Sequence, residues 1–212
     1  MNIPAIKKLC MEAKRIYIMH NYSTREHWIS DGSAAWLVDE GIFVNEDNVL
    51  PLFDIDPTAK KVPHVISEAV PSEKIFTRDR CQDEELLEDL GAIWCAGELY
   101  RALRGKDGML FICIKKLKPV RADGYCEFYM RRSGGKRFIA VYGDMFCSAL
   151  LAPITGKLAE GIRQAAVVIA AAPVDMAGSE AAPETAEEDA EQIGMAELVD
   201  CDLEEVFPED DE

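Results

Sequence analysis

No Cys-x-x-Cys pair occurs in this chain, although it contains seven cysteines. An odd cysteine count without that spacing is typical of a reduced, intracellular protein. The longest apolar run, residues 165–174, is about half of the ~20 residues that span a bilayer. The N-terminus has no apolar stretch of the signal-peptide kind. We therefore expect a soluble, cytoplasmic protein without membrane partners.

Catalytic motifs are also missing. No serine or cysteine sits in a nucleophile turn, and the histidines show no metal-ligand spacing: His20, His27 and His64. The segment Ser133-Gly134-Gly135-Lys136 has the wrong spacing for a phosphate-binding loop, so a hairpin turn is the preferred interpretation. These absences predict a non-enzymatic protein without cofactors.

Asp54 and Asp56 form the one pair of carboxylates with a candidate metal geometry. Alternate residues of a strand share a face, and two carboxylates on one face can hold a divalent ion. A third ligand is not evident in the sequence. Capping of a turn before Pro57 therefore accounts better for these residues, and we predict no metal site.

Excess negative charge is confined to residues 171–212, the acidic tail, which hold sixteen acidic residues and no lysine or arginine. The preceding 170 residues contain equal numbers of acidic and basic residues. The tail is rich in Ala, Glu and Pro, a composition that predicts disorder. Its apolar tip consists of Leu203, Val206 and Phe207. Together with Glu204 and Glu205, these residues are a candidate site for docking a basic protein partner.

Residues 101–137 have the opposite charge, with eleven basic and three acidic residues. Aromatic residues alternate with the cations here, and this combination is typical of surfaces that stack bases and follow phosphates. The acidic tail would compete with an anionic ligand for this segment, which suggests autoinhibition. The alternatives are that the cations form a solvated face, the tail only solubilises, and the aromatics alternate into a sheet core.

Two groups of residues are our candidates for nucleic-acid contacts. The first is the polar side of a helix predicted over residues 3–15, where an ordinary solvated face is the alternative. The second is residues 101–137. Together the candidates are Lys7, Lys8, Lys14, Arg15, Lys115, Lys116, Lys118, Tyr129, Arg131, Arg132, Lys136 and Arg137.

Periodicity and turn signals predict an α+β body over residues 1–170, with a mostly antiparallel sheet and possible subdomains at 1–62 and 72–170. Residues 92–103 fit either a helix or paired strands, and the turn at 105–108 favours strands. Besides 3–15, helices are expected at 82–90 and 156–170. Strands are expected at 15–20, 28–38, 99–103, 109–114, 126–131, 137–142 and 149–153.

Residues 15–38 and 127–154 share a plan of a strand, a polar loop and a long aromatic-bearing strand with an internal turn. The second segment, together with residues 117–119, resembles the end of a DNA sliding-clamp domain. The residues that carry this resemblance are Leu117-Lys118-Pro119, the strands at Phe128-Tyr129-Met130 and Phe138-Ile139-Ala140, and the closing Leu150-Leu151-Ala152-Pro153-Ile154. The resemblance implies helices that present basic residues to DNA. The chain is too short for a ring-forming protomer, so an accessory protein or a mimic is expected.

Two further resemblances concern the two ends of the chain. The segments Ile16-Tyr17-Ile18 and Trp28-Ile29-Ser30-Asp31-Gly32 resemble small prophage-encoded proteins. The acidic tail with its apolar tip resembles single-stranded DNA-binding proteins, although Glu209 to Glu212 follow where a terminal Phe is usual. We therefore expect a phage or mobile-element DNA-binding protein. The alternative is a DNA mimic or protein-interaction module that acts through the tail against a host nuclease or replication factor.

Overall fold

The computed structural model describes residues 2–120, 126–143 and 145–171, and it describes the side chains of the last of these ranges up to residue 166. Within these ranges the chain is mixed α and β, with three α-helices, one 3₁₀ helix and a ten-stranded, mostly antiparallel sheet. The segment Met1–Ala172 forms one compact unit. Both predicted subdomains contribute strands to the single sheet, while the acidic tail beyond Ala171 lies outside the described residues.

The elements follow one another along the chain with short connections. The helices are α1 (Ile3–Ala13), α2 (Glu46–Leu52), the 3₁₀ helix (Ile114–Leu117) and α3 (Gly156–Ala171). The strands are β1 (Arg15–Asn21), β2 (Glu26–Ser30), β3 (Ala34–Leu37), β4 (His64–Ala69), β5 (Glu85–Cys95), β6 (Glu98–Gly105), β7 (Gly108–Cys113), β8 (Glu127–Ser133), β9 (Lys136–Tyr142) and β10 (Cys147–Leu151).

Local sequence signals explain both ends of α1. The Asn2 side chain accepts a hydrogen bond from the Ala5 backbone N–H at 3.1 Å, as an N-cap residue does. Lys14 ends the helix in the left-handed conformation with φ of 58°. The predicted helix is confirmed except at its last two residues, because Lys14 is the cap and Arg15 already begins β1.

Two antiparallel meanders form the centre of the sheet. The strand order is β4-β1-β2-β3-β10-β9-β8-β5-β6-β7, and only the β1–β4 pair is parallel. The meanders β1–β2–β3 and β8–β9–β10 meet where Trp36 of β3 lies opposite Ala149 of β10. From this contact the strand order is β3, β2, β1 on one side and β10, β9, β8 on the other, so each meander has its last strand at the centre. The common plan predicted for residues 15–38 and 127–154 is therefore a repeated topology.

The helix predicted over residues 82–90 is wrong, because this segment opens β5. Leu86, Leu87 and Leu90 have helical spacing, but only Leu87 is buried, whereas Leu86 is 61% and Leu90 40% exposed. The strand pairs with β8 at its start and with β6 further on, and a bulge between Asp89 and Gly91 shifts its register. Pairing on both sides thus overrides the local helical pattern.

The sheet buries apolar residues on both faces. On one face α1 and α2 contribute Ile6, Leu9 and Val49 to the largest core cluster. The opposite face of the central strands carries Trp28, and the connection between β4 and β5 covers it, with the Phe76 ring 5.8 Å from the Trp28 ring. Helix α3 covers β6 and β7 separately. The connecting segment between β4 and β5 therefore covers the second face, as α1 and α2 cover the first.

A buried ion pair attaches this connecting segment to the sheet. Arg131 of β8 is 1% exposed, and its Nε lies 2.6 Å from Oε1 of Glu84. The other four guanidinium N–H groups bond to four oxygens, namely the backbone carbonyls of Ile75, Thr77 and Asp79 and the Tyr142 hydroxyl. All five donors of the guanidinium are therefore satisfied, which is the condition for burying this cation.

We predict that Arg131→Met lowers the free energy of unfolding by about 3–5 kcal/mol, because the Glu84 charge and three carbonyls lose their partner. Arg104→Met is the matched control, since Arg104 forms an exposed ion pair with Glu88 at 2.7 Å. Its effect should stay within about 1 kcal/mol. Urea unfolding of both variants measures the difference, and equal losses would contradict the structural role of Arg131.

Candidate nucleic-acid interface

The structure corrects the assignment of two predicted contact residues. Arg131 is held in the interior by the ion pair with Glu84, so it has no access to a phosphate. Tyr129 is 8% exposed, and its hydroxyl donates to Glu127 at 2.8 Å while the Arg80 guanidinium lies over its ring. Neither residue presents a surface to nucleic acid.

The base-stacking interpretation of residues 101–137 fails for the same reason. Its described aromatic side chains lie in the sheet core, where Phe111 and Phe128 are at most 2% exposed and Tyr129 is 8% exposed. Tyr125 lies outside the described residues. The alternative that strand periodicity offered, a row of core aromatics, is the confirmed one.

Two further predicted cations lie in ion pairs beside α1. Lys116 pairs with the fully buried Asp31 carboxylate, and the backbone carbonyl of Lys116 accepts from the Trp36 indole at 3.0 Å. Lys115 Nζ lies 2.6 Å from Glu98 Oε1. This hydrogen bond raises the pKa of Lys115 and lowers the pKa of Glu98. Both lysines are therefore neutralised within the protein.

Two surfaces carry several exposed cations each. The first, which we call the basic corner, comprises Lys8, Lys14, Arg15, Lys60 and Lys61, all exposed. Among the described residues none forms an ion pair with these five side chains. Lys7, their neighbour on α1, instead donates to the Asp54 backbone carbonyl at 2.8 Å. The basic corner thus offers positive charge that the described part of the protein does not neutralise.

Parallel pairing of β1 and β4 creates the basic corner. The His64 backbone N–H donates to the Lys14 carbonyl at 2.9 Å, and His64 lies opposite Arg15 in the register. Lys61 is three residues before His64, so its Cα lies within about 11 Å of the His64 Cα. Lys60 and Lys61 were not among the predicted site residues. Their consecutive positions were visible in the sequence, but the parallel pairing that brings them to α1 was not.

The second surface is the basic hairpin, residues 132–137, where β8 turns into β9. Gly134 and Gly135 have φ of 53° and 79°, the left-handed pair that a two-residue type I′ turn requires. Arg132 Nη2 contacts Glu85 at 2.9 Å and Asp107 at 2.8 Å. Lys136 and Arg137 are exposed at the tip. This turn is a hairpin, as predicted, and it carries a net positive charge.

Both surfaces lie at the same end of the strands, because β1, β4 and β5 begin there and β8 turns there. Five strand spacings separate β1 from β8, which is roughly 24 Å along the sheet. Lys118 is exposed near the start of α1, since the Asn2 N–H donates to the Pro119 carbonyl at 3.0 Å.

Asp54 and Asp56 do not share a strand face. Asp54 follows α2 in the left-handed conformation, with φ of 50°. Asp56 accepts hydrogen bonds from the backbone N–H and the hydroxyl of Thr58 at 2.8 and 2.7 Å, so the turn-capping interpretation is confirmed. Over residues 2–120, 126–143 and 145–171 no group of three or more His, Cys, Asp or Glu side chains is placed to hold a metal ion.

The predicted partner-binding residues of the tail, Leu203 to Phe207, lie outside the described residues. None of the described helices is long and apolar enough to cross a bilayer. The chain matches no protein-family model, and neither curated proteins nor solved structures show a significant similarity to it.

Variants of Lys116 and Lys118 test whether the first lysine stabilises the fold through an ion pair while the second is an exposed cation that does not. Lys116→Met should lower the free energy of unfolding by about 1–3 kcal/mol, because it leaves the buried Asp31 carboxylate without its cation. Three hydrogen bonds from Ser33 and Ala34 to Asp31 limit the loss. Lys118→Met should change it by less than about 0.5 kcal/mol. Thermal or urea unfolding that gave both variants the same stability would contradict this assignment.

Proposed function

We propose that the body of this chain binds nucleic acid without catalysis, through phosphate contacts at the basic corner. The observation that carries this proposal is the group of five exposed cations around the β1–β4 pair, none of them in an ion pair with a described residue. Unpaired lysine and arginine side chains release counterions from a phosphate backbone when they bind it, which makes such a surface favourable for nucleic acid.

The basic hairpin supplies a second contact in this proposal. At 3.4 Å per base pair, the roughly 24 Å between the two surfaces corresponds to about seven base pairs. The contacts are made to phosphates, because the described aromatic residues within 101–137 are buried. We therefore expect weak sequence preference and a strong dependence on salt.

The acidic tail regulates the body in this proposal. Its sixteen carboxylates are a polyanion tethered to the same chain, and they compete with nucleic acid for exposed cations. Removing the tail should therefore strengthen binding. The resemblances to sliding-clamp domains and to prophage proteins agree with a role in the DNA metabolism of a phage or mobile element.

Anisotropy titrations with 20-nucleotide single strands and 20-base-pair duplexes test the proposal over 50–200 mM salt. We expect a chain ending at Ala172 to bind more tightly than the full chain. Lys60→Gln combined with Lys61→Gln should reduce the salt slope on duplex by up to about 2, at about 0.9 per phosphate contact.

The matched control is Lys74→Gln with Lys157→Gln, which removes the same charge from exposed lysines outside the basic corner. Equal effects of the two double variants would contradict a defined interface. If neither chain length binds DNA at 50 mM salt, the body is not a nucleic-acid-binding protein. Binding to a basic protein that requires residues 173–212 would then favour the alternative, a DNA mimic or a protein-interaction module.

A further inference from the structure

A third surface, separate from the basic corner and the basic hairpin, lies at the other end of β1, where the chain turns into β2. Six residues line a pocket of about 400 Å³ there: His20, Asn21, Tyr22, Arg25, His27 and Phe43. We call it the aromatic pocket. Its volume lies in the range of small-molecule sites, roughly 300–1,000 Å³. Tyr22 is 70% and Phe43 61% exposed, so both rings are accessible to a ligand.

A buried side chain fixes the turn that carries Tyr22. Asn21 is 1% exposed, and its amide donates to the backbone carbonyls of Glu73 and Phe76 at 2.9 and 2.6 Å. Its side-chain oxygen accepts from the N–H groups of Ser23 and Thr24 at 3.1 and 3.3 Å. All the hydrogen-bonding capacity of this amide therefore holds the turn in place, and Tyr22 is presented on a rigid support.

Arg25 closes the turn in a strained conformation. Its φ is 60°, in the left-handed region that non-glycine residues seldom occupy. Arg25 is exposed, and among the described residues it is the only permanently charged one that lines the aromatic pocket. The pocket therefore combines exposed rings with one cation.

Two histidines connect the exposed rings. The Nδ1 atoms of His20 and His27 are 2.8 Å apart, and His20 Nε2 lies 3.2 Å from the Ser67 hydroxyl. The His27 ring lies 5.1 Å from the Phe43 ring, edge to face, and the His20 ring lies 6.1 Å from the Tyr22 ring. Burial, and then the neighbouring His20, lower the pKa of His27, so the imidazole stays neutral at neutral pH. His27 Nε2 is the ring nitrogen of the pair that forms no hydrogen bond with a described residue, so it is the one that can contact a ligand edge.

We propose that the aromatic pocket binds a nucleobase together with its phosphate. Tyr22 and Phe43 stack against the planar ring, His27 Nε2 contacts its polar edge, and Arg25 pairs with the phosphate. The same chemistry is available from a free nucleotide and from an unpaired nucleotide in a strand. This inference goes beyond the phosphate-binding function proposed above, because the basic corner lies at the opposite end of β1.

Calorimetric titration of the full chain with adenosine monophosphate, adenosine and ribose 5-phosphate separates the two halves of the ligand. We expect the monophosphate to bind more tightly than adenosine and ribose phosphate alone to bind barely. Tyr22→Ala and Phe43→Ala should each weaken the monophosphate roughly tenfold. Arg25→Ala should weaken the monophosphate but not adenosine.

Trp94→Ala is the matched control, because Trp94 is 66% exposed on β5 and does not line the pocket. It should leave binding unchanged, and unchanged melting temperatures verify that each variant folds. The inference is wrong if neither the monophosphate nor a ten-nucleotide single strand binds at millimolar concentration, or if Tyr22→Ala and Trp94→Ala have equal effects.

The single strand also distinguishes the two ligand sources. Tighter binding of the strand than of the monophosphate, lost in Tyr22→Ala, assigns the pocket to strand nucleotides; tighter binding of the monophosphate assigns it to free nucleotides. Strand binding that persists in Tyr22→Ala but falls in the Lys60→Gln and Lys61→Gln variant would overturn the pocket and retain the proposed function.

Discussion

Arg131 and Glu84 connect the sheet to the segment that covers its second face. The guanidinium is fully buried and donates to three backbone carbonyls between Ile75 and Asp79, so one side chain from β8 positions a length of chain without regular structure. That segment in turn contributes Phe76 to the core and two carbonyls to the Asn21 amide. The Arg131–Glu84 ion pair therefore also supports the turn that presents Tyr22, indirectly through this segment.

Strand β1 links two of the three surfaces to which we assign binding, the basic corner and the aromatic pocket. Its first residue, Arg15, belongs to the basic corner, and its last, Asn21, supports the aromatic pocket. Phosphate contacts at one end and base contacts at the other are separated by about six residues of strand, or roughly 20 Å. Both surfaces need a partner strand, since β4 brings Lys60 and Lys61 to the corner while β2 brings His27 to the pocket. The binding surfaces are thus products of the sheet topology.

Strand periodicity and turn chemistry were sufficient to predict most of the sheet, including the hairpins at residues 105–108 and 133–135 and the common plan of the two meanders. They failed at residues 82–90, where pairing with two neighbouring strands overrides a helical leucine pattern. The site was less predictable, because sequence shows charge but not pairing. Arg131, Lys116 and Lys8 each add one positive charge to the sequence. In the structure Arg131 and Lys116 neutralise buried carboxylates, and of the three only Lys8 is exposed without an ion pair to a described residue. The aromatic pocket is lined by residues from separate elements, so no local sequence pattern predicted it.

Lysine acetylation footprinting, read by mass spectrometry with and without duplex DNA, addresses the division of cations most directly. The chain ending at Ala172 is the appropriate sample, because it lacks the acidic tail that we propose competes with DNA. Our account predicts that DNA protects Lys14, Lys60 and Lys61, that Lys74 is modified equally in both states, and that Lys116 reacts slowly throughout. Unchanged modification of Lys60 and Lys61 in a sample that has bound DNA would contradict it.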